Sequence, residues 1–383
     1  MKRIYLDHAA TTPLHPEVLE AMMPYLTDIF GNASSVHSFG REAHWALNDA
    51  RERIASMLGC EANQWIWTSG GTESDNLAVL GTVAAAKGKR HIISSEIEHH
   101  AVLHACRHLE QHGCEVTYLP VDATGRVRVE DVERSIRPDT ALISVMYGNN
   151  EVGTLQPIRE IGEIARQHGI VFHTDAVQAL GLEKLNLSEL PVDLVSFSAH
   201  KIEGPKGIGG LYCSPRVRLA PQSYGGLQER KRRAGTENVA GAVGFAAAAV
   251  RAVSALEQKQ AQMTAFRRTM IEGLTRELGS DGFIVNGHPN LTLPHILNVS
   301  FPGVSTETLL MNLDLEGIAA ASGSACNSGA LEISHVLQAM KLPSPVTQSA
   351  VRFSFGPGNT IEDIERAASI TATIVNRIRN NNS

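Results

Sequence analysis

Val192-Asp193-Leu194-Val195-Ser196-Phe197 runs directly into Ser198-Ala199-His200-Lys201, and the reading of this stretch decides the fold. A short, nearly continuous apolar run of this kind suits a strand covered on both faces, as in a parallel sheet flanked by helices. A second such run, 170–174, delivers Asp175 and Gln178 upstream of it. Further strand candidates fall at 64–68, 91–94, 115–119, 141–147 and 209–213, alternating with amphipathic segments from near residue 40 to about 250. Strand–helix units repeated at this spacing predict a mostly parallel, doubly wound α/β sheet. One long helical pattern from about Gly241 through Glu277 then leads to a differently built C-terminal part, with strands at 296–300 and 351–354 and a last helix from Ile361 to about Arg379. We therefore expect a large domain over 15–255, and a smaller α+β domain made of 1–14 and 256–383.

With 383 residues, 43% of them hydrophobic and 19% charged, the chain has the composition of a soluble two-domain protein. Its net charge of −6 argues against nucleic acid as a partner. Asp7 and His8 interrupt any apolar run behind Met1-Lys2-Arg3, and the Ala- and Gly-rich stretch 239–250 is too short to span a bilayer, so neither secretion nor a membrane is expected. The five cysteines, Cys60, Cys106, Cys114, Cys213 and Cys326, are odd in number and irregularly spaced, which is cytoplasmic usage and forms no metal or redox motif.

In an open α/β sheet, ligands bind beyond the carboxyl ends of the strands, and Lys201 and Asp175 both follow strand-like runs. A lysine amine that can hold an aldehyde, with a carboxylate that can hold a pyridine nitrogen protonated, points to pyridoxal 5'-phosphate (PLP). Ser69-Gly70-Gly71-Thr72-Glu73-Ser74 opens a helix after strand 64–68, where free N–H groups and a hydroxyl suit a phosphate. His99 follows strand 91–94 and is placed to cover a ring and move protons. Asn149-Asn150-Glu151 and Gln178 offer amides to a phenolic oxygen. Cys326 lies in Ser322-Gly323-Ser324-Ala325-Cys326-Asn327-Ser328-Gly329, small residues that cannot build a core and so suit an exposed nucleophile. Arg352 is a candidate for bidentate binding of a substrate carboxylate. His100, His104, His108 and His112 recur every four residues, but their stripe drifts around a helix, and a solvated face is favoured over a metal site.

These residues resemble the cysteine desulfurases of the NifS/IscS type, within the class V, fold-type I PLP enzymes. The resemblance rests on Tyr5-Leu6-Asp7-His8-Ala9-Ala10-Thr11-Thr12-Pro13, Gly70-Gly71-Thr72-Glu73, Glu98-His99, Asn149-Asn150-Glu151, His173-Thr174-Asp175-Ala176-Val177-Gln178, Ser198-Ala199-His200-Lys201, Arg233-Ala234-Gly235-Thr236-Glu237-Asn238 and Ser322-Gly323-Ser324-Ala325-Cys326. It implies that Lys201 binds PLP covalently, Asp175 pairs with the ring nitrogen, His99 stacks on the ring, and Asn150 and Gln178 contact the phenolic oxygen. Gly71, Thr72, Ser198 and His200 would hold the phosphate, joined by Thr236 from the second subunit of a homodimer. Cys326 would take the sulfur of L-cysteine as a persulfide, leaving L-alanine, and Arg352 and Asn150 would bind the substrate. A sulfur-acceptor protein, serving iron–sulfur cluster or other thio-cofactor assembly, is the implied partner. Selenocysteine lyase, a class V aminotransferase and a non-catalytic PLP-binding homologue remain as alternatives. Cys326 speaks against the aminotransferase, and the set Lys201, His99, Cys326 and Arg352 speaks against the non-catalytic homologue.

Overall fold

The computed structural model describes residues 2–323 and 333–382. Its central sheet has seven strands, β2 (Trp65–Thr68), β3 (His91–Ser95), β4 (Glu115–Leu119), β5 (Thr140–Ser144), β6 (Val171–Asp175), β7 (Leu194–Ser198) and β8 (Gly209–Cys213), after the short β1 (Ile4–Tyr5). Their order is β2-β8-β7-β6-β5-β3-β4, all parallel except β8, which runs against both its neighbours. Apart from β4, every residue of these strands except Val171 is buried, the condition that their apolar runs anticipate.

Two glycines of β8 bring the pieces of the site together. A Cβ at Gly210 would lie 1.9 Å from the Trp65 ring, and one at Gly209 only 2.5 Å from Gly70 Cα. Their lack of side chains lets Trp65 pack across the sheet and lets the Gly70 turn rest on β8.

The remaining strands are β9 (Ile284–Asn286), β10 (Ile296–Ser300), β11 (Ile318–Ala319) and β12 (Ala350–Ser354). β12, β10 and β9 form an antiparallel sheet, and β1 pairs in parallel with β11. Ile4 and Leu6 belong to the core of this second unit together with Phe266, Phe301, Phe353 and Ile364. The N-terminal segment thus packs on the C-terminal part of the chain, and an isolated bridge from Asp7 to Ser354 ties it to the end of β12.

Three sequence expectations change. The helical pattern from Gly241 through Glu277 is two helices, Val239–Ser254 and Leu256–Leu278, bent by 72° at Ala255. No proline or glycine stands at the break; the two helices serve different cores. The first, rich in Ala and Gly, is buried against Pro16–Thr27 and Ser38–Leu58, and the second packs on Ile361–Asn382. The strand expected over 141–147 spans Thr140–Ser144; Val145 and Tyr147 still give their N–H groups to the carbonyls of His173 and Asp175 in β6 before the chain enters the loop that carries Asn150. Gln64 belongs to a 3-10 turn, where its side chain accepts the Glu61 N–H. No single described helix is long and apolar enough to cross a membrane.

Candidate active site

Five strands, β2, β3, β5, β6 and β7, end at the same edge of the sheet, and their following loops surround a cavity of about 300 Å³. Its lining includes Gly71, Thr72, His99, Asn150, Asp175, Gln178, Ser198, His200, Lys201 and Arg352. All ten were singled out from the sequence. Thr236 is exposed in the loop before helix Val239–Ser254 and does not line this cavity, and Cys326 lies outside the described residues.

Lys201 ends the 3-10 turn that follows β7. Its Nζ donates to the carbonyl of Ala9 and, at 2.8 Å, to that of Ala10, so the N-terminal segment holds the amine at the cavity wall. Asp175 is the last residue of β6, and its Oδ1 accepts the Val177 N–H at 2.9 Å. Burial raises its carboxyl above the usual carboxylate range, while the Val177 N–H and Lys201 pull it back. Beside it lies Asp75, 1% exposed, whose Oδ1 has no hydrogen-bond partner among the described residues. Burial, and then Asp175, raise the Asp75 carboxyl well above the usual carboxylate range, so the two neighbouring acids oppose each other's ionisation.

Gly71 begins helix Gly71–Ala85 at the end of β2. A Cβ there would come within 2.9 Å of Val177 Cγ2, so its absence leaves the helix N-terminus open to a ligand. Thr72, Ser198 and His200 complete an anion cradle around it. His200 is tied to Thr11 Oγ1 at 3.1 Å, and burial together with Lys201 pushes its ring down to about 4, so it is neutral at pH 7. A phosphate-bearing pyridine aldehyde fits this set: a lysine, a buried carboxylate, and a glycine-opened helix end.

The remaining residues divide in ways the sequence does not display. Of the two turn asparagines, Asn149 is structural, donating to the Ile97 carbonyl at 3.0 Å and accepting the N–H groups of Glu151 and Val152, whereas Asn150 faces the cavity. Gln178 gives one hydrogen to Ala9 O at 2.9 Å, and its Oε1 accepts from His295 Nε2 at 3.1 Å. Arg352 is 5% exposed, donating to Asp7 Oδ1 at 2.8 Å and Asn150 O at 2.9 Å, with no partner for Nε among the described residues. Of the histidine stripe, His100 turns into the cavity wall, its ring centroid 4.8 Å from that of His335, and among the described residues no group of three His, Cys, Asp or Glu could hold a metal ion.

Glu98, Glu151, Asp75 and His335 carry no role in the sequence reading, and His100 enters it only as part of the histidine stripe. Glu98 and Glu151 stand inside quoted motifs, which was the available signal, whereas His335 had none. Burial pushes the Glu98 carboxyl up to about 8, so it is neutral at pH 7, accepting from Ser95 Oγ and from Met146 N–H at 2.9 Å.

The aminotransferase class-V family model matches residues 4–367. A Bacillus subtilis (strain 168) protein bearing the name IscS 1 is 51% identical over 380 residues, covering 99% of this chain and 100% of its own. Cysteine desulfurase IscS of Methanosarcina thermophila is 48% identical, covering 99% of this chain and 93% of its own. Among solved structures, a NifS-like protein superposes with a TM-score of 0.92 at 36% identity, over 98% of this chain and 100% of that one. With ten cavity residues in place and this likeness along nearly its whole length, the chain belongs to the class-V aminotransferase family, among the PLP-dependent cysteine desulfurases of the NifS/IscS type.

Proposed function

We propose that the protein is a cysteine desulfurase that converts L-cysteine to L-alanine and holds the sulfur on Cys326 as a persulfide, for transfer to a sulfur-acceptor protein in iron–sulfur cluster or other thio-cofactor assembly. The observation that carries this reading is the meeting of Lys201, Asp175, His99 and Arg352 in one cavity whose rim includes Gly323, three positions before Cys326. Three residues span at most roughly 11 Å, a length that supports the assignment of Cys326 to this cavity.

Lys201 would hold the cofactor aldehyde, Asp175 the ring nitrogen, the Gly71–Thr72 helix end with Ser198 and His200 the phosphate, and Asn150 and Gln178 the phenolic oxygen. Bound PLP supplies an electron sink for the pair left on the substrate Cα. Lys201 takes the Cα proton and later returns one, as a general base must from within hydrogen-bond reach. His99 would cover the ring, with its Nε2–H free to donate because Nδ1 is taken by the Ala101 N–H. The thiolate of Cys326 attacks the substrate sulfur, the carbon–sulfur bond breaks, and L-cysteine plus the Cys326 thiol becomes L-alanine plus the Cys326 persulfide.

A homodimer is part of this reading. Exposed large apolar side chains recur on the outer face of helix Pro16–Thr27 and beyond it, with Leu26 57%, Phe30 72%, Val36 89% and Trp45 68% exposed, and again at Tyr224 and Leu227 ahead of Thr236. So much exposed apolar surface on the face of one chain favours a second copy as its cover. Thr236, exposed and away from its own cavity, is then free to reach the phosphate of the partner. The same reading divides the chain into 15–255 against 1–14 with 256–383, a division supported by the grouping of most buried apolar residues into two main cores, and the four described cysteines, all unpaired, suit the cytoplasm.

The wild-type protein should release alanine and sulfide from L-cysteine in the presence of a reducing thiol, assayed beside L-selenocysteine. Cys326→Ser should still bind PLP and L-cysteine, seen as a change in the visible absorption, yet form no persulfide. Normal alanine turnover in that variant would remove Cys326 from the mechanism. Arg352→Ala should raise KM for L-cysteine by about tenfold or more, since a charge-assisted hydrogen bond contributes roughly 1.5–3 kcal/mol. An unchanged KM would leave Arg352 as the ion-pair partner of Asp7 and nothing more.

A further inference from the structure

His99 and His335 both border the cavity, and the backbone fixes both rings with the proton on Nε2 while engaging a different nitrogen of each. His99 caps helix His100–Gln111, its Nδ1 accepting the Ala101 N–H at 3.1 Å. A nitrogen that accepts carries no hydrogen, so the neutral ring bears its proton on Nε2 and has no lone pair to spare. His335 has the same tautomer but is held at the other nitrogen. Its Nε2 lies 3.0 Å from the Glu98 carbonyl oxygen, which can only accept, so Nε2 holds the proton and Nδ1 keeps a lone pair. Neither ring is charged at pH 7: burial, then Lys201, push His99 down to about 4, and burial lowers His335 from its usual value as well.

The surroundings of His335 are those of a base awaiting a proton. Glu151 Oε1 lies 4.0 Å from Nδ1, too far for a hydrogen bond and close enough to favour a positive ring when ionised; burial raises its carboxyl above the usual range, while Ser334, Arg352 and His100 pull it back. Ser334 Oγ donates to the other Glu151 oxygen and holds that carboxyl in place. The His335 side chain keeps 27% of its exposure, while Glu151 is almost fully buried. The opposing groups come from one helix: His100, with His104 and Arg107 behind it, and His99 at its cap. Burial and, of these groups, Arg107 and His104 weaken the proton affinity of His335, and the Glu98 carbonyl strengthens it.

We propose that His335 is the proton acceptor for the thiol of the bound substrate, with Glu151 as its counter-charge and His99 confined to donating. The inference deepens the desulfurase reading and rests on it. In the step, the S–H bond of L-cysteine breaks, its electron pair stays on sulfur, and the proton moves to His335 Nδ1. The imidazolium keeps its Nε2–H on Glu98 O and faces Glu151. Because the free ring titrates below its usual value of about 6.5, the base is competent throughout the neutral range, and its contribution is lost as pH falls through that lowered pKa.

The test is the pH profile of kcat/KM for alanine formation by PLP-loaded wild type, His335→Gln and His100→Gln. Glutamine retains a donor for the Glu98 carbonyl and lacks the basic nitrogen. His335→Gln should lower the rate at pH 7.5 by about 100-fold and replace the acid limb with a rate that climbs towards the thiol pKa of about 8.5, while the visible absorption of bound cofactor stays as in wild type. His100→Gln should keep the acid limb. A wild-type profile in His335→Gln, or loss of the limb in His100→Gln instead, overturns the assignment while leaving the desulfurase reading intact; absence of alanine from wild type brings down both. Independently of turnover, 15N spectra of the histidine-labelled holoenzyme at pH 7.5 should show His335 protonated at Nε2 and bare at Nδ1, and the opposite tautomer also overturns the proposal.

Discussion

Lys201→Ala protein should bind PLP without a covalent bond and form alanine from L-cysteine at least about 1000-fold more slowly than wild type. The general acid–base contribution of a positioned group is by itself roughly 10²–10⁴ in rate, and here the covalent link is lost as well. Borohydride reduction of wild type, followed by peptide mapping, should place the label on Lys201. The geometry leaves few rivals. Lys206, five residues on, is exposed and absent from the cavity wall. Lys259 approaches from the far side of Lys201, but its Nζ is engaged by Glu203 at 2.8 Å. Lys201 itself is held at the wall by two backbone carbonyls of the N-terminal segment, which direct the amine without neutralising it. A label on either of the other two lysines would overturn the assignment and the reading of β7 with it.

Why so much of the site is legible in sequence follows from where the residues sit. Asp175, Lys201 and the Gly71 turn each come directly after a buried apolar run, and in a parallel sheet such runs all end on one edge. Five local patterns therefore sum to one cavity without any knowledge of long-range contacts. What is not local is not legible. The antiparallel direction of β8 leaves no mark on its composition, and the bend at Ala255 reflects two cores that pull one helical pattern apart, not a breaker in the chain. The pairing of Arg352 with Asp7 joins residues 345 apart, and Ser334 with Glu151 residues 183 apart, so neither is foreshadowed by spacing. The tautomers of His99 and His335 depend on which backbone atom each ring meets, a fact that only the folded chain contains.

Arg51→Met should destabilise the folded protein by about 3–5 kcal/mol, the usual loss when one member of a buried ion pair is left alone. Arg51 and Glu229 are 5% and 6% exposed, and the pair is bidentate, with contacts of 2.8 and 2.7 Å. Arg51 also donates to the Trp65 carbonyl at 2.8 Å, and Glu229 accepts the Trp67 N–H at 3.0 Å, so the pair ties one loop to helix Ser38–Leu58 and to β2. That loop is under strain. Glu229, Arg230 and Lys231 have φ of 44°, 56° and 66°, three consecutive non-glycine residues in the left-handed region, at a cost of roughly 1–2 kcal/mol each. The ion pair offsets that cost and fixes the path of the chain towards Thr236. Removing the cation leaves a buried carboxylate whose remaining hydrogen bond among the described residues is from the Trp67 N–H, whereas Arg51→Met with Glu229→Gln removes both charges of the pair and should recover part of the loss. Urea midpoints of the three variants measure this directly, and trypsin, which cleaves after Arg230, Lys231, Arg232 and Arg233, should cut the Arg51→Met loop faster than that of wild type. A double variant no more stable than Arg51→Met would show that the unpaired charge is not the cause, and wild-type resistance to trypsin in Arg51→Met would show that the pair does not hold the loop.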